Sequence, residues 1–398
     1  MTSKVVIVGA VRTPVGAIGG GLSPLQAQDL AVVVIRSLIE SSDLDPALVE
    51  YTCLGWVMQD PRSPNIAKIA AELAGVPCSS PGTTFHENCA SGAAAIHSLA
   101  RRIMLGEVSL GVAGGVESLS NVPRYLFAGR TKGQLYGDMI LSDGLFAALT
   151  DSNVGDDGEL MGLLSERLVE RYGLTREEQD EIAHRSHHGA LEAWKDGFFD
   201  GYVVPVKIPQ RRGEPIVVDR DEGPRPITME ELEAARPYFK PDGGTITALN
   251  ASSVNDGAAA VLLASEERAA ELGLQQLAEI TAFHTVGVAR EYMGEGAFKV
   301  IPPLLERAGM TIADVNLFEI NEAFAAVLAS AFHDIPELPR DRTNHWGSGI
   351  SLGHPVGCTG ARQIVDMTHQ LRRRRARVGL TSRCVGGGIG SAEILTTI

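Results

Sequence analysis

A single cysteine stands before a run of small residues in "TTFHENCASGAAAIHSLARRIM", residues 83–104. The apolar residues Ile96, Leu99 and Ile103 follow with helical spacing, so the segment predicts a buried helix with Cys89 at or near its N-terminus. Unpaired amide groups and the positive end of the helix dipole favour a thiolate there. Cys89 is therefore a candidate nucleophile, although most free cysteines are small buried hydrophobes.

The C-terminal third of the chain carries further residues that could assist such a nucleophile. Asn321 supplies an amide side chain, His354 a base and Cys384 a second thiol. Each has a structural explanation when taken alone, such as a turn cap or a core position. Together they form a catalytic set, and they occur in the motifs "NASSVNDGAAA" (250–260), "NEAFA" (321–325), "GHPVGCTG" (353–360) and "RCVGGGIG" (383–390).

An internal repeat indicates how these residues are positioned. "SLIESSDLDPALVEYTCLG", from Ser37, and "PLLERAGMTIADVNLFEIN", from Pro303, align without a gap at an offset of 303 − 37 = 266 residues, each reading as helix, turn, short helix and strand. Near the same offset, the segment after Cys89 resembles "TGARQIVDMTHQLRRRRARVGLTSRCVGGGIGS". Two copies of one α/β unit are predicted, with mainly parallel sheets covered on both faces.

A loop-rich excursion separates the two copies. It contains one strongly predicted helix, "TREEQDEIAHRSHHGALEAW", which Thr175 and Glu178 begin with a capping box. So long an excursion inside an α/β body usually forms a lid or a binding elaboration. The predicted domains are residues 1–120 plus 245–272 (N-terminal half), 121–244 (loop domain) and 273–398 (C-terminal half).

Composition narrows the class of protein. The five cysteines are odd in number and lack CxxC spacing, which indicates a reducing, cytoplasmic setting and argues against a structural zinc site. The formal charge of 35 − 49 = −14 argues against nucleic-acid and membrane partners. Neither a leader nor a spanning segment is apparent. "VVIVGAVRTPVG" lacks GxGxxG, so no dinucleotide site is predicted.

The motifs, in this order and spacing, resemble the thiolase family over essentially the whole chain. Further matches are "VGAVRTPVGAIGG", "AGGVESLSNVP", "YGLTREEQDEIAHRSHHGA" and "ARPYFKPDGGTITALNAS". Ketoacyl-ACP synthases share that fold but lack the second cysteine of "CVGGG". The resemblance implies a five-layered αβαβα fold with an inserted loop domain, a homodimer or homotetramer, and acetyl-CoA, acyl-CoA and CoA as substrates with no other cofactor.

The resemblance also implies a role for each catalytic residue. Cys89 would accept the acyl group after His354 takes its proton, and Cys384 would be the general base that forms an enolate from a second acetyl-CoA. His354 and a water held by Asn321 would stabilise that enolate. The backbone N–H groups of Cys89 and Gly386 would stabilise the oxyanion that forms on the carbonyl of the acyl group at Cys89. The implied product of two acetyl-CoA molecules is acetoacetyl-CoA.

Substrate-binding positions follow from the same resemblance. Ser252 matches a position that contacts the pantetheine arm, and Arg225 lies where a basic residue meets the nucleotide phosphates, in a stretch with seven Lys and Arg residues between 201 and 240. The remaining positions assigned to the substrate pocket are Leu160, Met161, Ala323, Phe324 and Trp346.

Three segments depart from the family pattern. Asn88 stands where an apolar residue usually precedes the nucleophile, with His86 close by; Leu160 replaces a pocket histidine; and Trp346 replaces a small amide. We expect Trp346 to pack or to shape the pocket, because indole has no proton-transfer group. The changes predict a reshaped acyl pocket. They leave open a degradative 3-ketoacyl-CoA thiolase and a non-catalytic protein that binds acyl-CoA or lipid.

Overall fold

The computed structural model describes residues 3–126, 140–155 and 158–398. Its strands are β1 Val5–Arg12, β2 Gly16–Ala17, β3 Tyr51–Gly55, β4 Gly82–Phe85, β5 Leu110–Ser118, β6 Arg124–Tyr125, β7 Ser142–Asp143, β8 Thr150–Asp151, β9 Glu159–Leu160, β10 Val206–Ile208, β11 Ile216–Val218, β12 Asn255–Ser265, β13 Ala278–Gly287, β14 Leu317–Ile320, β15 Val378–Val385 and β16 Ile389–Thr396. Its α-helices are α1 Ala27–Ser41, α2 Ile66–Leu73, α3 Ser91–Met104, α4 Gly144–Ala148, α5 Met161–Tyr172, α6 Arg176–Lys195, α7 Met229–Ala234, α8 Glu266–Glu271, α9 Gly296–Lys299, α10 Ile301–Ala308, α11 Ala325–Asp334, α12 Gly349–Leu352 and α13 Val356–Arg374.

The repeat predicted from the sequence is confirmed. In the first copy, α1 is followed by a 3-10 turn at Pro46–Leu48 and by β3; in the second, α10 is followed by a 3-10 turn at Ile312–Asp314 and by β14. The turns and strands begin 312 − 46 = 266 and 317 − 51 = 266 residues apart. The next unit also recurs, as α3 with β5 and as α13 with β15.

The strands join in the order β14-β15-β16-β13-β1-β12-β5-β3-β4, with β2 added beside β12. Among the strands of the described residues, parallel pairing is confined to β3 with β4 and β5 and to β14 with β15, so the expectation of mainly parallel sheets is wrong. The parallel pairs are strands joined through helices, as expected, but β15 and β16 form a hairpin, which requires antiparallel pairing. β12 likewise returns antiparallel between β1 and β5.

Helices cover both faces of the two sheet halves, as the five-layered prediction requires. α1 and α2 pack on the outer face of the N-terminal half, and α9 and α10 on that of the C-terminal half. α3 and α13 pack against each other between the halves, in an apolar cluster that includes Ile96, Leu99 and Ile364. The halves meet within the sheet where Val6 and Ile7 pair with β13.

The excursion between the copies rests on this body. The predicted helix is confirmed as α6, and the Thr175–Glu178 capping box is present. The helix α5, which the sequence pattern did not reveal, packs against α11, and α6 packs against α11 and α12. Parts of the predicted loop domain, 127–139 and 156–157, lie outside the described residues. Within the described ranges, no helix is long and apolar enough to cross a membrane.

Candidate active site

Small residues let the first turns of α3 and α13 approach closely. A Cβ atom added at Gly92 would lie 2.9 Å from the backbone nitrogen of Ala361 and 3.0 Å from the carbonyl oxygen of Gly357. Only a residue without a side chain allows this contact between backbones. The small-residue runs after Cys89 and His354 therefore bring both side chains to one cavity.

Cys89 lies in the 3-10 turn Asn88–Ala90, which leads directly into α3, so its predicted position at a helix start is confirmed. Burial raises the pKa of the Cys89 thiol to about 11, while hydrogen bonds from the backbone of Gly386 and of Cys89 itself lower it. These are the two backbone groups that the family resemblance assigns to the oxyanion, and Cys89 and Gly386 line the same cavity. The thiol is protonated at neutral pH and needs a base.

His354 is such a base, and its protonated nitrogen can be assigned. Its Nδ1 lies 2.6 Å from Oγ1 of Thr359, and that hydroxyl donates to the carbonyl of Pro355 at 3.0 Å. Because the single hydroxyl proton is used there, Thr359 accepts from Nδ1–H, and the lone pair remains on Nε2. Burial lowers the pKa of His354 to about 3, so the imidazole is neutral. Asn255 fixes the backbone by accepting from the His354 N–H at 2.8 Å.

Cys384 lies near the end of β15, before the glycine turn to β16. It is 1% exposed. Burial raises the pKa of its thiol well above the ordinary value, and the neighbouring Cys89 raises it further. That coupling shows that the two sulfurs share one electrostatic environment. An ionised Cys89 would oppose a second thiolate at Cys384, and an acyl group on Cys89 prevents that ionisation.

Asn321 is fully buried after β14, and its backbone N–H donates to the Ser382 carbonyl at 2.8 Å. Within the described part of the chain, neither Oδ1 nor Nδ2 of Asn321 has a hydrogen-bond partner. Buried amides are normally paired with protein or with ordered water. The side chain is thus free to bind a water or a substrate oxygen, which fits the role that the sequence implies.

One cavity of about 330 Å³ collects most of the predicted site. Its wall is largely apolar, and its polar lining residues include the two cysteines, His354, Asn88 and Ser252. Nine of the predicted site residues line it: Cys89, Leu160, Met161, Ser252, Ala323, Phe324, His354, Cys384 and Gly386. Asn321, Arg225 and Trp346 do not.

The structure places two predicted binding residues elsewhere. Arg225 lines a separate hollow with Ile227 and Leu249. Trp346 packs on Phe198 with ring centroids 3.4 Å apart, and Arg374 lies over its ring. Of the two roles predicted for Trp346, packing is therefore the one the structure favours, because the indole occupies an aromatic cluster and not the cavity wall.

Several site residues were missed in the sequence. Phe146, Tyr238, Phe239 and Met293 line the cavity, but they come from the five-residue helix α4, a loop and a 3-10 turn, whose placement depends on tertiary packing. Glu117 was also missed, although it stands in the quoted motif "AGGVESLSNVP". It accepts from the N–H groups of Val57, Met58 and Gly357, and burial raises its pKa to about 7.

Comparison with known proteins agrees with this geometry. Residues 5–267 match the model of the thiolase N-terminal domain, and residues 274–397 match that of the thiolase C-terminal domain. A probable acetyl-CoA acyltransferase of Staphylococcus epidermidis is 40% identical over 399 residues, covering 99% of each chain. The protein of the same description from Staphylococcus aureus strain N315 is 39% identical, with the same coverage.

Solved structures are similar over the full length. The acetyl-CoA acetyltransferase of Bacillus anthracis is 42% identical with a TM-score of 0.96, covering 100% of this chain and 99% of that one. Human mitochondrial 3-ketoacyl-CoA thiolase in complex with CoA is 32% identical with a TM-score of 0.94, covering 100% and 98%. The chain, with its paired thiols, buried imidazole and repeated α/β halves, belongs to the thiolase family and is an acyltransferase.

Proposed function

We propose that the protein condenses two acetyl-CoA molecules to acetoacetyl-CoA and CoA, reversibly and through an acyl group on Cys89. The observation that carries this proposal is a single cavity lined by two thiols and a neutral imidazole, with the backbone of Gly386 beside the nucleophilic cysteine. A binding protein has no need of this combination, which disfavours a non-catalytic role.

In the first half-reaction, Nε2 of His354 takes the thiol proton as the Cys89 sulfur attacks the acetyl carbonyl. The N–H groups of Cys89 and Gly386 stabilise the resulting oxyanion. The carbon–sulfur bond to CoA then breaks, and the CoA thiolate takes the proton back from His354. Acetyl-Cys89 and free CoA remain.

In the second half-reaction, Cys384 passes its proton to His354 and, as a thiolate, removes a proton from the methyl carbon of a second acetyl-CoA. The charged imidazole and a water on Asn321 stabilise the enolate oxygen. The enolate carbon attacks the acetyl carbonyl on Cys89, a carbon–carbon bond forms and the Cys89 sulfur leaves. His354 returns its proton to that sulfur, which restores the starting enzyme.

We propose that the enzyme binds its substrates through their CoA moiety and uses no further cofactor. Ser252 lines the cavity and donates its N–H to the Ala323 carbonyl at 2.9 Å, which fixes one wall for the pantetheine arm. Arg225 stands in its own hollow, where a nucleotide phosphate would meet a cation. We place this activity in the cytoplasm, which five free cysteines support, and in a homodimer or homotetramer.

The test is CoA-dependent loss of acetoacetyl-CoA, followed through the absorbance of its magnesium enolate. Wild type is compared with Cys89→Ala and Cys384→Ala. The matched control is Cys358→Ala, a buried thiol on α13 that is not part of the cavity wall. We expect turnover in wild type and in the control and none in the two site variants. Turnover that survives in Cys89→Ala would refute the proposal.

A degradative 3-ketoacyl-CoA thiolase is the second candidate, and the apolar cavity wall favours it. Leu145, Phe146 and Leu149 face the cavity together with Leu160, which stands where the family pattern has a histidine. Apolar surface stabilises each additional methylene of an acyl chain by about 0.8 kcal/mol. Thiolysis rates of 3-ketoacyl-CoAs of increasing chain length separate the candidates: a rise beyond four carbons supports degradation, and a fall supports acetoacetyl-CoA.

A further inference from the structure

We propose that Asn88 is a positioning residue that holds the Gly386 N–H against the nucleophilic sulfur. The inference rests on the proposed function, because it concerns the oxyanion formed when Cys89 is acylated. It also assigns a role to the polar residue that departs from the family pattern beside the nucleophile.

The backbone at Asn88 is unusual and firmly held. Its φ is +42°, a left-handed conformation that asparagine tolerates better than most residues with a side chain. The Asn88 carbonyl accepts from the hydroxyl of Ser91 at 2.7 Å, and that hydroxyl accepts from the Glu87 N–H at 2.9 Å. The turn is therefore fixed on the N-terminal half, with the Asn88 side chain reaching towards the C-terminal half.

The Asn88 side chain joins the two halves at the active site. Its Nδ2 donates to the carbonyl of Gly386 at 2.8 Å. Gly386 opens the turn between β15 and β16, and Gly387 and Gly388 follow with φ of +95° and +84°. A glycine run has no side chains to pack, so its conformation depends on backbone hydrogen bonds. Asn88 supplies such a bond.

The same glycine lies beside Cys89 on the cavity wall, and its backbone lowers the pKa of the Cys89 thiol. One residue is thus held at its carbonyl by Asn88 and presents its amide to the neighbour of Asn88. Rotation of Gly386 would move the donor away from the oxyanion, and only donors placed before the reaction lower its barrier effectively. The apolar residue usual at position 88 has no donor for this carbonyl.

The experiment measures acetylation of Cys89 by acetyl-CoA in a single turnover, stopped by acid and read by mass, in the full chain. Asn88→Gly removes the amide and keeps the left-handed backbone accessible, whereas Asn88→Asp keeps the shape and removes the donor. Asp43→Gly is the matched control, because exposed Asp43 also has a positive φ, of +47°, and lies outside the cavity wall.

We expect acetylation to slow at least about tenfold in both Asn88 variants. The acetyl-CoA concentration that gives half the maximal rate should change less than about twofold. Asp43→Gly should match wild type. Equal rates in wild type and both Asn88 variants would overturn the inference, as would slowing confined to Asn88→Gly, which would indicate a backbone effect alone. Absence of acetylation in wild type would instead refute the proposed function.

Discussion

Replacing Thr359 with valine tests how His354 is kept in the reactive tautomer. The change keeps the volume of the side chain but removes the oxygen that lies 2.6 Å from Nδ1. Nδ1–H then stays buried without an acceptor, because His354 is only 7% exposed. We expect the imidazole to turn or to move its proton to Nε2, which would block proton acceptance from Cys89.

The magnitude follows from the cost of a buried donor without a partner. That cost is about 1–3 kcal/mol, which corresponds to a loss of about fivefold to about 150-fold in the reactive form. Because the loss concerns the chemical step, kcat should fall by this factor while KM stays within about twofold. Thr359→Ser, which retains the oxygen, should keep most of the activity.

The assay is steady-state thiolysis of acetoacetyl-CoA, with Thr368→Val as the matched control. Thr368 is a buried threonine on the same helix, and its hydroxyl donates to the Ile364 carbonyl at 2.7 Å. Thr359 makes a similar bond to Pro355, so the control subtracts the loss of that bond. A kcat for Thr359→Val that equals the kcat for Thr368→Val would refute the assignment of the tautomer.

Three further results are expected. Asp221→Asn should lower the free energy of unfolding by about 3 kcal/mol in a urea titration, because it removes the bidentate carboxylate of buried Arg12 and leaves Asp366 alone to compensate its charge; a loss below about 1 kcal/mol would contradict this. Leu160→His should raise preference for acetoacetyl-CoA over longer 3-ketoacyl-CoAs about tenfold in competition assays, whereas Trp346→Phe should not alter it. Since burial raises the Cys89 pKa to about 11, its alkylation by iodoacetamide should accelerate about tenfold per pH unit from neutrality to about pH 9, and a plateau near neutrality would contradict this.

The parts of the fold that could be predicted from the sequence depend on local patterns. The repeat at an offset of 266 residues was visible because both copies keep the same order of helix, turn and strand. Cys89 at a helix start and the Thr175 capping box follow from spacing within one or two turns. Strand direction could not be read this way, since β12 pairs with strands more than a hundred residues away.

In the candidate site too, residues in local motifs could be predicted from the sequence, whereas contacts made by the fold could not. The thiols and His354 stand in compact motifs, so the sequence alone brought them to attention. Thr359, the hydrogen-bond partner of the imidazole, lies within "GHPVGCTG". Its role was not predicted, because only the folded turn brings its hydroxyl to Nδ1 of His354. Trp346 occupies an aromatic cluster with Phe198, a contact across 148 positions (346 − 198) that no local pattern encodes.

The most direct test of the account is transfer of an acetyl group through Cys89. The enzyme is treated with acetyl-CoA labelled in the acetyl carbonyl, separated from free CoA thioesters, and then given unlabelled acetyl-CoA. The account predicts label on the Cys89 peptide before the second addition and in the 3-keto carbon of acetoacetyl-CoA after it. In Cys384→Ala the label should load and remain on Cys89, because the enolate is not formed. Unlabelled product from labelled enzyme, or label on another residue, would contradict the account.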